Sequence, residues 1–197
     1  MKPGKKQNAL EWLVDFTNNV VNSNLSGEEE RKPARLFGFV IFLFIIVSNE
    51  IGLFFQLSGN GYSFFRSPTA SAVVTMTLAT MVLAYSHYVG VKKHGLKNYL
   101  KSFVQPFALF LPINLIDDFS SFLTLSLRLY GNIYAGEVLI HLITELAFGI
   151  KGFAFVTVPF AFILMLIWQA FSLFIGAVQT YVFLNLSMVY IDRKANE

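Results

Sequence analysis

Four stretches of the chain run for twenty residues or more with almost no charge, and they set the architecture. Residues 36–57 hold only Glu50, and residues 69–91 hold no charge. Residues 119–150 hold Arg128, Glu137 and Glu145, and residues 152–191 hold none. About 20 apolar helical residues cross a bilayer core of about 30 Å. The pattern predicts an all-α polytopic membrane protein, one membrane domain over 1–197 with four membrane helices. The last run would be about 60 Å long as a single helix at about 1.5 Å per residue. That is too long for an upright span, and no turn signal interrupts its middle. One strongly tilted helix, bent near Pro159, is expected. Residues 102–116 are short and contain Pro106 and Pro112, so they read as an interfacial or re-entrant segment. Residues 8–25 place Leu10, Leu13, Val14, Val20 and Val21 at helical spacing among Glu11, Asp15 and several asparagines. They predict an amphipathic helix on the cytoplasmic surface, within a cytoplasmic segment 1–35. Glu28-Glu29-Glu30 reads as a solvated linker.

Composition agrees with the pattern. Hydrophobic residues make up 55% and charged residues 14%, against about 25% charged in soluble domains. The net charge of +3 does not point to nucleic acid, because the basic residues sit in short clusters beside the apolar runs. With residues 1–35 inside and one crossing per run, 12 of the 15 Lys and Arg fall on the cytoplasmic side. Only Arg66 and Lys151 fall outside, and Arg128 stays in the membrane. This bias orients the protein with a cytoplasmic C-terminus. Splitting the last run into two spans would weaken it. There is no cysteine, hence no disulfide and no thiolate metal site.

The run 119–150 carries the chemistry. Ionisable groups inside a span cost several kcal/mol and are functional candidates by default. Arg128 and Glu137 are nine positions apart, so they face opposite ways at about 100° per residue. Thr124, Asn132 and Ala135 lie within about 40° of Arg128, flanked by Gly131 and Gly136. Small residues of this kind admit another helix. The opposite face holds Tyr130, Tyr134, Glu137, His141 and Glu145. The last three form a carboxyl–imidazole–carboxyl stripe suited to proton relay. An arginine does not release its proton, so it serves as an electrostatic gate rather than a relay. On the final helix, Gln169, Ser172, Gly176 and Gln179 share one polar, small-residue face. Ser172 and Gln179 read first as polar contacts between helices. His87 reads as structural, Glu50 as a channel or packing residue, and Asp117-Asp118 as the cytoplasmic mouth of the charged helix. A proton-coupled transporter would show internal repeats, which the chain lacks. A metal site on Glu137, His141 and Glu145 would need a matching helix, and the final run has no carboxylate.

The segment from Leu125 to Glu137, LSLRLYGNIYAGE, closely resembles the signature of ATP synthase subunit a. Residues 111–119, LPINLIDDF, and residues 2–12, KPGKKQNALEW, resemble the Firmicutes-type form. The resemblance covers essentially the whole chain. It implies a long tilted hairpin of the last two helices against a ring of subunit c, with subunit b and other membrane-sector subunits as further partners. It implies proton transport coupled to ATP synthesis in a bacterial plasma membrane, without a cofactor and without bond chemistry in the subunit itself. Arg128 matches the family's essential arginine. Asn132, Glu137 and Gln169 match polar positions of the outer half-channel. Family members usually carry a further membrane helix ahead of the segment that starts here. Some have a histidine seven positions before the glutamine, where this chain has Phe162. His141 is then the candidate imidazole. Some alkaliphile members have lysine at the position of Gly136.

Overall fold

A computed structural model describes residues 5–54, 58–59, 62–63, 67–102, 110–149 and 154–196. Lys2, Arg66, Pro106 and Lys151 lie outside the described residues. Among the described residues six α-helices follow in order: α1 Lys5–Asn24, α2 Glu28–Phe54, α3 Ala72–His94, α4 Leu96–Ser102, α5 Phe110–Gly149 and α6 Ala154–Asn196. A two-residue antiparallel pair, Ser58–Gly59 with Tyr62–Ser63, and a 3-10 turn at Pro68–Ala70 lie between α2 and α3. The protein is an all-α polytopic membrane protein. Among the described residues, α2, α3 and α6 are long and apolar enough to cross a bilayer. The 40-residue α5 has the length, but Arg128, Glu137 and Glu145 lower its apolar content.

Local chemistry explains the helix ends. Glu28, Glu29 and Glu30 form the first turn of α2, where carboxylates oppose the positive end of the helix dipole. They are therefore not a linker. Lys92, Lys93 and His94 close α3, and Gly95 stops it at φ 78°, its N–H donating to the Val91 carbonyl at 2.9 Å. Residues 110–116 belong to α5 and do not form a separate interfacial segment. Pro112 sits in the first turn, where its missing N–H has no intrahelical partner to lose. The final run is a single 43-residue helix that continues through Pro159.

The long helices bury their apolar faces around α6. One core joins Val20, Val21 and Leu25 of the first hairpin to Phe42, Leu184, Met188 and Ile191. A second joins Ile41 and Ile45 to Leu78, Val82, Leu125, Leu129 and Phe183. Helix α1 docks along α2 and α6. Phe16 meets Phe42 and Tyr181 at ring-centroid distances of 5.7 and 5.9 Å, and Arg35 donates to Asn22 at 2.8 Å. The periodicity that marks an apolar face is satisfied equally well by helices and by lipid.

Candidate proton-transfer face

Antiparallel pairing of α5 and α6 positions the charged residues. At one end Arg193 pairs with Asp117, and Lys194 reaches Asp118 at 3.1 Å. Toward the other end Thr157 donates to the Ala147 carbonyl at 3.0 Å. Between these fixed points Gln169 lies near the height of Glu137, and Thr180 near that of Arg128.

The buried seam of α5 is Leu125, Leu129, Ile133 and Gly136. Arg128 and Glu137 flank this seam on opposite sides, which follows from their separation of about 180° around the helix. Arg128 is exposed, as are Thr124, Gly131 and Ala135 beside it; Asn132 is half-buried. A side-chain carbon built at Gly131 would meet nothing within 4 Å. Among the described residues, no hydrogen bond or ion pair engages Arg128. The arginine is thus not buried within the chain, and its small-residue face stands open.

On the other flank Tyr130 and Tyr134 stack at 5.5 Å. Glu137 is half-buried, whereas His141 and Glu145 are exposed. Gln169 is half-buried, and both it and Glu137 have interaction partners. Ser172 and Gly176 are buried in the packing of α6. Gln179 Nε2 is buried with no hydrogen-bond partner among the described residues. The structure therefore brings Glu137 and Gln169 to one level but leaves His141 and Glu145 on an uncovered surface.

A polar knot escaped the sequence pattern. Besides Lys194, Asp118 faces His87 Nε2 at 3.8 Å, and His87 Nδ1 meets the Tyr99 hydroxyl at 2.6 Å. Lys93 pairs with Glu30 at 3.1 Å, and His94 meets the Ala195 carbonyl at 2.8 Å. The knot gathers α2, α3, α4, α5 and α6 at one charged end. The available signal was an acidic pair and a basic pair at matching ends of two long antiparallel runs. A second knot links Ser67 to the Ser48 carbonyl at 2.8 Å and Thr69 to Asn49 Oδ1 at 2.9 Å. Glu50 is half-buried beside it.

The model of the ATP synthase A chain family matches residues 1–192. The chain belongs to the ATP synthase A chain family. It is 48% identical over 197 residues to ATP synthase subunit a of Limosilactobacillus reuteri, covering 100% of this chain and 82% of that protein. It is 46% identical over 196 residues to the Enterococcus hirae protein of the same name, covering 98% and 80%. The Bacillus pumilus protein is 41% identical over 206 residues, covering 100% and 82%. Membership in the ATP synthase A chain family makes the chain a membrane-sector component of that complex.

Proposed function

We propose that this chain is the static proton-translocating subunit of the membrane sector, working against a rotating ring of subunit c. The observation that carries this reading is Arg128: a permanent charge at the middle of a long membrane-depth helix, exposed on a face of Thr124, Gly131 and Ala135. A guanidinium left unpaired in hydrocarbon would be costly. A ring carboxylate arriving at that face would remove the cost and be held ionised by the arginine.

Protons would reach the ring through an outer half-channel lined by Glu137, Asn132 and Gln169, with His141, Glu145 and Ser172 as further lining. They would leave through an inner half-channel beginning near Thr124. Arg128 would separate the two routes, because it does not pass a proton on. Ring rotation would couple this flow to ATP synthesis in the soluble head, with subunit b among the other membrane-sector partners. The subunit itself would catalyse no bond chemistry. The charged end would face the cytoplasm of a bacterium, with the C-terminus inside the plasma membrane's cytoplasmic face.

The test is ATP-driven proton pumping by membrane vesicles carrying Arg128→Ala, after verifying that the complex assembles. The expected result is pumping reduced to the level of vesicles without the complex. Pumping near the wild-type level would overturn the gate.

A further inference from the structure

The cleft between α2 and α3 has features that proton transfer does not use. The two helices run antiparallel, tied at one end by Lys93 and Glu30 at 3.1 Å and bridged further in by the Phe37–Tyr85 stack at 4.3 Å. On the charged side of that stack lies a cavity of about 200 Å³, flanked by Glu29 and Pro33 of α2 and by Tyr88 and Lys92 of α3. On its other side lies an apolar cavity of about 370 Å³, lined by Val40, Phe44, Val74 and Met81. Val40 and Phe44 also line a further hollow of about 640 Å³, so the apolar space continues along α2.

The spacing and the charges both fit one kind of occupant. From Lys92 to Met81 is eleven residues of α3, about 16 Å along the axis. One leaflet of a bilayer core is about 15 Å deep. The polar cavity therefore sits at headgroup height, where tyrosines such as Tyr88 are favoured, and the apolar cavity at acyl-chain depth. The ammonium of Lys93 is committed to Glu30 and Asn196. Among the described residues, Lys92 and Glu29 have no ion-pair partner, and they stand on opposite walls of the cavity. An apolar helix packed there would leave both charges unmatched. A headgroup bearing only a phosphate would answer Lys92 and be repelled by Glu29. A phosphate with a primary amine answers both.

We propose that the α2–α3 cleft holds one aminophospholipid, its phosphate on Lys92, its amine on Glu29 and an acyl chain between Phe44 and Met81. Basic pockets between membrane helices recognise headgroups in this way. The site does not depend on Arg128 or on the half-channels. The test is native mass spectrometry of the delipidated protein titrated with dioleoylphosphatidylethanolamine, dioleoylphosphatidylglycerol and dioleoylglycerol. The expected result is a retained phosphatidylethanolamine adduct, weakened roughly tenfold by Lys92→Gln, as loss of one charge-assisted contact implies. Glu29→Gln should weaken the same adduct while sparing phosphatidylglycerol. Both substitutions are on exposed positions, so the fold persists. Equal retention of phosphatidylethanolamine by wild type and both variants would overturn the proposal, as would equal binding of dioleoylglycerol. A photoreactive group at Met81 should label lipid. Labelling of a protein helix there instead would also overturn it.

Discussion

The two ends of the α5–α6 hairpin are built on different principles. At the charged end every long helix contributes to the packing: Leu125 and Leu129 of α5 and Phe183, Leu184 and Met188 of α6 are fully buried, and the ion pairs of Asp117 and Asp118 close the end. Toward the far end α5 also meets the 3-10 turn at Pro68–Ala70, and beyond it α5 and α6 have mainly each other. Phe155, Phe160, Phe162, Ile163, Leu166 and Ile167 all face outward, as do His141 and Glu145. One end spends its side chains on holding the subunit together. The other presents side chains to whatever lies outside the chain, and Arg128 stands at the boundary between the two. Polar groups at the first end should therefore matter for stability, and those at the second for transport.

The largest effect expected from this contrast is on the Asp118–Lys194 pair. The Lys194 side chain is 5% exposed, so removing Asp118 takes a carboxylate away from 3.1 Å beside a buried ammonium. Breaking such a pair costs about 3–5 kcal/mol, whereas replacing both members with apolar residues is often close to neutral. Asp118→Leu alone should lower the unfolding temperature in detergent and the amount of subunit in membranes. Adding Lys194→Met should restore most of the loss. A single variant as stable as wild type would break the comparison at its stronger end.

Two glycines test packing next. A side-chain carbon at Gly90 would come within 2.6 Å of a Tyr99 ring carbon and 2.7 Å of the Lys194 carbonyl oxygen, whereas at Gly131 the space is open. Gly90→Ala should destabilise by about 1–3 kcal/mol through overpacking. Gly131→Ala should stabilise the isolated subunit by up to about 1 kcal/mol, the helix-propensity difference. Thermal unfolding of the two variants side by side decides it. Gly131→Leu sharpens the point, since it should leave the subunit folded yet reduce proton pumping by filling the face beside Arg128. Unchanged pumping would mean that nothing docks there.

The smallest effect on stability belongs to His141. It is exposed, so His141→Ala should change stability by no more than about 0.5 kcal/mol. Reduced pumping with that unchanged stability would make the imidazole part of the outer route, and unchanged pumping would reduce the relay stripe to Glu137 alone.

Much of this was legible in the sequence because membrane helices advertise themselves. The apolar runs gave α2, α3 and α6, and Arg128 was visible as a charge where none belongs. The start of α5 was not legible, since Pro112 is read as a breaker unless its position in the first turn is known. The docking of α1 was also hidden: Val20, Val21 and Leu25 mark an apolar face but do not name its partner. The Asp117–Arg193 contact joins residues 76 positions apart, and no local periodicity encodes such a pairing. The opposite flanks of Arg128 and Glu137 were readable from helical geometry alone. That a buried seam runs between them was not, because only the packed helices decide which third of α5 turns inward.

With its ion pairs and its fully buried side chains gathered toward one end, the hairpin resembles a cantilever. A beam clamped at one end transmits any rotation at its root to its tip in proportion to length. Glu137 lies nineteen residues beyond Asp118, about 28 Å along the axis, so a tilt of one degree at the clamp moves it by about 0.5 Å. Substitutions around His87, Asp118 and Lys194 should accordingly be felt as changed clearance at the far end, with no residue there altered.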